Sequence, residues 1–244
     1  MKSKLLRMNA GKRLIQGISI CAITLLSLNA CTKEDLIVKP ANNHPGKNHN
    51  ETEVDPQLPP DTLDCGGFRT QTQGGWGAPA HGNNPGKYMQ TNFAGAFPNG
   101  LTVGCNNTLT LTSAQAVTDY LPAGGTPAVL KTSYTNPTTL KNNLASQLVT
   151  LTLSVQFDLY DPNFSSSSIQ LGDLVIASGT FKGMSIKDFL AEANKVLGGC
   201  SSSYTAAQVS DALTSINENF DDGTKNGGFL ECPDKIIVIS KTSI

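Results

Sequence analysis

The chain is poor in the residues that most catalytic and metal chemistry draws on. Its 244 residues include three histidines and one tryptophan. His44 and His49 fall in a stretch broken by Pro45 and Gly46, and their spacing of five would not share a helix face. They read as solvated loop residues, which leaves His81 without the company a triad needs. No Ser nucleophile elbow, HExxH, P-loop or GxGxxG with a following acid is present. No cysteine sits in a CxxC pair or close to a histidine, so no metal site and no cofactor are expected. Charged residues make up only 15% of the chain, and no basic stripe is present to engage nucleic acid. The longest apolar run, residues 14–28, is broken by Gln16 and Ser19 and falls short of the roughly 20 residues a membrane span requires.

What is present begins with Lys2, Lys4, Arg7, Lys12 and Arg13, followed by that apolar run and then small residues. This order predicts a secretory signal over 1–30. Leu28-Asn29-Ala30-Cys31 resembles the bacterial lipobox, and the resemblance implies acylation of Cys31 and cleavage just before it. Several acyl chains on one residue would hold far better than a single chain. Lys33-Glu34-Asp35 resembles the export signal of Bacteroidota surface lipoproteins. That implies a lipid-anchored protein of the outer membrane, facing the cell exterior, with the membrane as its first partner.

Loss of the leader changes the charge. It carries five of the 18 basic residues and none of the 19 acidic ones, so the remainder holds 13 against 19, a formal −6. Residues 31–62 then read as an acylated Cys with a flexible tether: Pro, Asn, His and charge, no aromatic residue, and no sustained period. About 30 such residues would span roughly 30 Å. Asp61-Thr62-Leu63 is similar to the short O-glycosylation motif of the same bacterial group, which makes Thr62 a candidate acceptor.

The folded unit is expected over 63–233, with a tail at 234–244 that could form a strand. It contains four cysteines, Cys65, Cys105, Cys200 and Cys232. Outside the cytoplasm an even set favours disulfides. Three pairings are open, of which Cys65–Cys232 with Cys105–Cys200 is preferred because it would close the two ends of the domain.

The opening stretch, CGGFRTQTQGGWGAPAHGNNPGKYM, is expected to make turns rather than regular structure. A ligand-binding loop built on Trp76, His81 and Tyr88 is one reading. A loop folded over the core with Trp76 as its plug is the other, and aromatics among glycines more often serve that way. Phe93 and Phe97 fit one helical turn before Pro98. Leu101–Gly104 and Thr108–Thr112 alternate apolar and hydroxyl residues, which predicts a hairpin turning at Cys105-Asn106-Asn107. A short helix follows from Thr112 or Ser113, with AQAVTDYL as its body.

Leu140, Leu144, Leu148, Leu151 and Val155 predict a nearly buried helix over 138–157, begun by Asn136 as cap and Pro137 at its first position. LGDLVIASGTF reads equally as strand or helix. Ser185-x-x-Asp188 and Thr205-x-x-Gln208 predict capped helices near 186–197 and 206–220. The fold class expected is α+β, helix-dominated, a single disulfide-bonded domain with a small β-hairpin.

Thr70-Gln71-Thr72-Gln73-Gly74-x-Trp76, Leu144-Ala145-x-Gln147-Leu148 and Leu213-x-x-Ile216-Asn217-x-Asn219 together resemble a family of secreted bacterial domains. Their signature is a Thr-Gln-Gly-Tyr-Trp-Lys-Asn-His start. The resemblance implies a surface module and no catalytic residue. Asn217-x-Asn219-x-Asp221-Asp222-Gly223 departs from a calcium loop in its Gly and its missing Glu, and reads as a polar helix end. Three functional classes stay open. A non-catalytic binding or interaction module, with a glycan or protein as ligand, fits the Asn/Thr/Ser-rich composition and leads. A hydrolase using Glu192, Glu218 or Glu231, and a structural component of an outer-membrane assembly, are the others. The balance leans against an enzyme.

Overall fold

Residues 66–233 are described in the computed structural model of the chain, and they form six α-helices and five short strands. In chain order these are α1 (Gln73–Trp76), α2 (Pro85–Ala96), β1 (Leu101–Gly104), β2 (Thr108–Leu111), α3 (Ala114–Tyr120), β3 (Tyr134–Thr135), α4 (Asn143–Tyr160), β4 (Val175–Ile176), α5 (Ile186–Gly198), α6 (Ala206–Asn219) and β5 (Leu230–Glu231). The fold is mixed helix and strand with helices dominant, as the sequence predicts.

α4 is the central post. Leu144, Leu148, Leu151 and Phe157 are all fully buried along it. So are Ser146, Thr150 and Ser154, which recur every fourth residue on one face. A buried hydroxyl is costly unless it is hydrogen-bonded. Here each bonds back to the preceding turn: Ser146 Oγ to Asn142 O at 3.2 Å, Thr150 Oγ1 to Ser146 O at 2.8 Å and Ser154 Oγ to Thr150 O at 3.3 Å. The helix thus buries small polar residues without orphaned groups. α6 packs on α4 more extensively than any other element does. Polar bonds tie that contact: Asn143 Nδ2 to Ser210 Oγ at 3.0 Å, and Asn217 Nδ2 to the Gln147 carbonyl at 3.0 Å and to its Oε1 at 2.8 Å.

β1 and β2 pair antiparallel with Leu101 opposite Leu111, and β3 joins β2 in parallel. Period two puts Leu101, Val103, Leu109 and Leu111 inside. Thr102 and Thr110 face outward, with their hydroxyls 3.0 Å apart. The turn at Cys105 is stapled by the Cys105–Cys200 disulfide to the second residue beyond α5. There Gly199 (φ 76°) closes α5 in the left-handed conformation that spares glycine a steric penalty.

Four local expectations need correction. The stretch up to Met89 is not all turn, because it contains α1 and the first turn of α2. There Asn84 caps Lys87 N at 2.8 Å, with Pro85 at the first helical position. Phe93 lies in the body of α2 and Phe97 is its C-cap, so they do not make a lone turn. α4 starts at Asn143 rather than 138. Asn136 sits at φ 48° and is captured by β2: its N donates to Thr110 O at 2.9 Å, and its side chain bonds Thr112 N and Oγ1. The true cap is Asn142, whose Oδ1 accepts from Ala145 N at 3.3 Å while its Nδ2 donates to Ala128 O at 2.7 Å. The undecided segment at 171–181 forms a short 3-10 turn and then β4, which pairs antiparallel with β5.

Candidate functional site

Cys31, Lys33, Glu34, Asp35, Thr62 and Cys65 lie outside the described residues, as does the 234–244 tail. Of the expected disulfides, Cys105–Cys200 is present, with Cα atoms 6.3 Å apart. Cys232 is also disulfide-bonded.

The Trp76 loop proves to be structural. Trp76 is 1% exposed, so its ring has no face left for a ligand, and the plug alternative is the one realised. The indole stacks on Phe164 at 6.1 Å and meets Phe157 at 5.3 Å. Tyr88 joins this cluster from α2, its ring 6.4 Å from Trp76 and 5.4 Å from Phe164. Its hydroxyl donates to Asp161 Oδ2 at 2.8 Å. Burial first, and then the bond to Asp161, hold the Tyr88 hydroxyl above the ordinary tyrosine pKa. For Asp161 burial alone would raise the pKa. Hydrogen bonds from the Asn163 backbone, the Tyr88 hydroxyl and the Asn163 side chain outweigh it, and hold the carboxyl below its ordinary value. His81 is exposed in the turn before α2, its backbone N donating to Asn84 Oδ1 at 3.1 Å. Trp76 therefore sits in the core with the half-buried Tyr88 packed against it, and His81 stays on the surface.

Of the acids considered for hydrolysis, Glu218 and Glu231 are exposed. Glu192 accepts from Ser202 Oγ at 2.5 Å and Lys195 Nζ at 3.0 Å, and those two bonds lower its pKa. Asn219 of the calcium-like segment uses Oδ1 to accept from Phe229 N at 2.7 Å. Among the described residues, no three His, Cys, Asp or Glu side chains gather in a way that could hold a metal.

A groove does form where the chain enters the domain. Phe68, 2% exposed, anchors the 66–70 arm against Phe220 at 5.3 Å. Backbone bonds fasten the arm on two sides. Ser166 N donates to Gly67 O at 2.9 Å, Thr70 N to Phe220 O at 3.0 Å and Asp222 N to Thr70 O at 3.0 Å. Gly67 (φ 78°) lies so close to Ser166 that any Cβ there would collide with it. Between arm, loop and turn opens a groove of about 460 Å³, lined by residues 67–69, 162–166 and 222–223.

Its chemistry centres on Arg69 and Asp222. The guanidinium is 3.3 Å from Asp222 Oδ1, with the two side chains 38% and 58% exposed. The same guanidinium lies over the Phe164 ring, 5.9 Å from its centroid, a favourable cation–π position. Gln71 Nε2 also donates to Asp222 Oδ1, at 3.1 Å. Asp222 adopts φ 52°, a left-handed conformation that Asp tolerates better than most residues. Sequence reasoning named Asp222 only within a polar helix end and passed over Arg69, although Arg69 is the one arginine after Arg13. Comparison with protein-family models, curated proteins and solved structures found no match to this chain.

Proposed function

We propose that this protein is a lipid-anchored lipoprotein of the outer membrane that displays a non-catalytic binding module on the cell exterior, with the Arg69–Asp222 groove as its binding site. The observation that carries the binding reading is the groove's composition. Its lining includes one carboxylate, Asp222, set against a guanidinium 3.3 Å away. Paired-acid hydrolysis needs two carboxyl groups facing each other across the substrate, whereas an Arg–carboxylate pair held in a concave polar site suits recognition. The display reading is supported by the basic leader, by Leu28-x-Ala30-Cys31 and by the Lys33-Glu34-Asp35 triplet. Trp76 and Tyr88 serve this reading indirectly, by packing under Phe164, and His81 has no part in it.

Metabolic labelling with palmitate in the native host, beside protease treatment of intact cells, tests the display. Labelling lost in Cys31→Ala, with the protein degraded on intact cells, is the expected result. Labelling that survives Cys31→Ala removes the anchor, and protection from protease on intact cells removes the exterior location.

A further inference from the structure

We infer that the groove's ligand is neutral and hydroxyl-rich, a sugar ring or a short run of a glycan, gripped by Arg69 and Asp222. This rests on the binding-module reading above and adds the chemical class of the ligand.

Size narrows the choice first. A groove of about 460 Å³ falls within the roughly 300–1,000 Å³ of small-ligand sites. A stable protein partner would instead bury roughly 800 Å² on each side. Charge narrows it further. Arg69 is the only basic side chain in the lining, and Asp222 already lies 3.3 Å from it. A phosphate, sulfate or uronate would have to sit beside that carboxylate or break the pair, while a cation would meet the guanidinium. Apolar ligands find little purchase, because Phe68 and Phe164 are 2% and 4% exposed. Asn163, Ser165 and Ser166 supply polar surface instead.

The pair also suits the ligand positively. A vicinal diol both donates and accepts. Guanidinium only donates and carboxylate only accepts, so their adjacency offers both partners within one diol's reach. Both groups are held in place beforehand. The Phe164 ring lies beneath the guanidinium, and Gln71 and Arg69 both bond Asp222 through Oδ1. A preorganised pair loses less side-chain freedom on binding.

The test uses the full-length protein in detergent against neutral polysaccharides (dextran, mannan, galactan) and anionic ones (polygalacturonate, chondroitin sulfate). Retention by a neutral polymer, insensitive to salt, is expected. Asp222→Asn should bind about tenfold more weakly, the loss of one charge-assisted hydrogen bond. Asn163→Trp, at an exposed position on the groove wall, should abolish binding while the domain stays folded, with only the small fall in melting temperature that losing the Asn163 bond to Asp161 entails. Binding to anionic polymers alone, weakened by salt, would overturn the neutral-ligand inference and leave the binding module standing. Neutral binding untouched by either variant overturns the assignment to this groove. Retention by none of the five polymers overturns the binding reading and this inference together.

Discussion

The Trp76 indole Nε1 donates to Ser154 Oγ at 3.3 Å, joining α1 to α4 across 78 residues of chain. Ser154 passes the bond on to the Thr150 carbonyl at 3.3 Å. The only tryptophan is therefore a structural connector, with its polar edge satisfied inside the core and its ring filling the space between α4 and Phe164.

Trp76→Ala should destabilise the domain by about 3–5 kcal/mol, the usual cost of emptying a large aromatic site. Ser154→Ala leaves the indole N–H buried without a partner and should cost roughly 1–3 kcal/mol. Urea unfolding measures both. A Trp76→Ala variant of undiminished stability that no longer binds polysaccharide would return Trp76 to a ligand role.

Replacing Cys105 and Cys200 together by Ala opens a loop closed across 95 residues. The chain-entropy model puts the loss at roughly 4–5 kcal/mol. Comparing the unfolding midpoint of this variant with the parent under non-reducing conditions gives the value. The hairpin turn should keep its place, because Asn107 N still donates to Gly198 O at 3.0 Å and Gly104 N to Asn194 Oδ1 at 2.6 Å.

Two helix caps should differ in worth. Thr205 sits in an exposed capping box with Gln208, so Thr205→Ala should cost about 1 kcal/mol. Asn142 is 4% exposed and bonds both Ala145 N and the Ala128 backbone. Asn142→Ala removes the cap from the buried Ala145 N and also frees the exposed Ala128 backbone, for about 1–3 kcal/mol. Equal losses in denaturant titration would show that the Ala128 loop finds other partners.

Stability should fall on both sides of neutral pH. Tyr88 and Tyr120 are raised in the folded state, chiefly by burial. Their contribution is full below the ordinary tyrosine value near 10 and declines as pH rises past it. Asp161 is lowered in the folded state, so its contribution is present above the ordinary carboxylate value and is lost as pH falls through the folded one. Tyr88→Phe should therefore flatten the alkaline limb and move acid unfolding to higher pH, because Asp161 loses one of the bonds that lower it. Midpoints in urea across the pH range test both limbs.

Local features were legible wherever a short-range rule had no competitor. Ser185 and Thr205 cap the helices they were expected to cap, and 101–111 forms the expected hairpin, because cap and turn chemistry act over three or four residues. Asn-Pro shows where such rules give out. The same dipeptide starts α2 at Asn84-Pro85 but makes a bend at Asn136-Pro137, where pairing with Thr110 and Thr112 captures the backbone first. The groove was not legible at all. Its two polar partners are 153 positions apart, as 222 and 69 show, and nothing near Arg69 in the chain announces Asp222.

Sequence alone determined the periodic faces of α4, α5 and α6 and the alternation of the hairpin, while the leader, lipobox and tether are expectations for residues outside those described. Those follow from local chemistry and from side chains recurring at fixed steps. Tertiary structure decided the rest: that Trp76 points inward, that α4 begins at Asn143, and that the arm at 66–70 passes between Ser166 and Asp222. Each depends on contacts between distant segments, whose free energy exists only once the chain has folded and water has left the space between them.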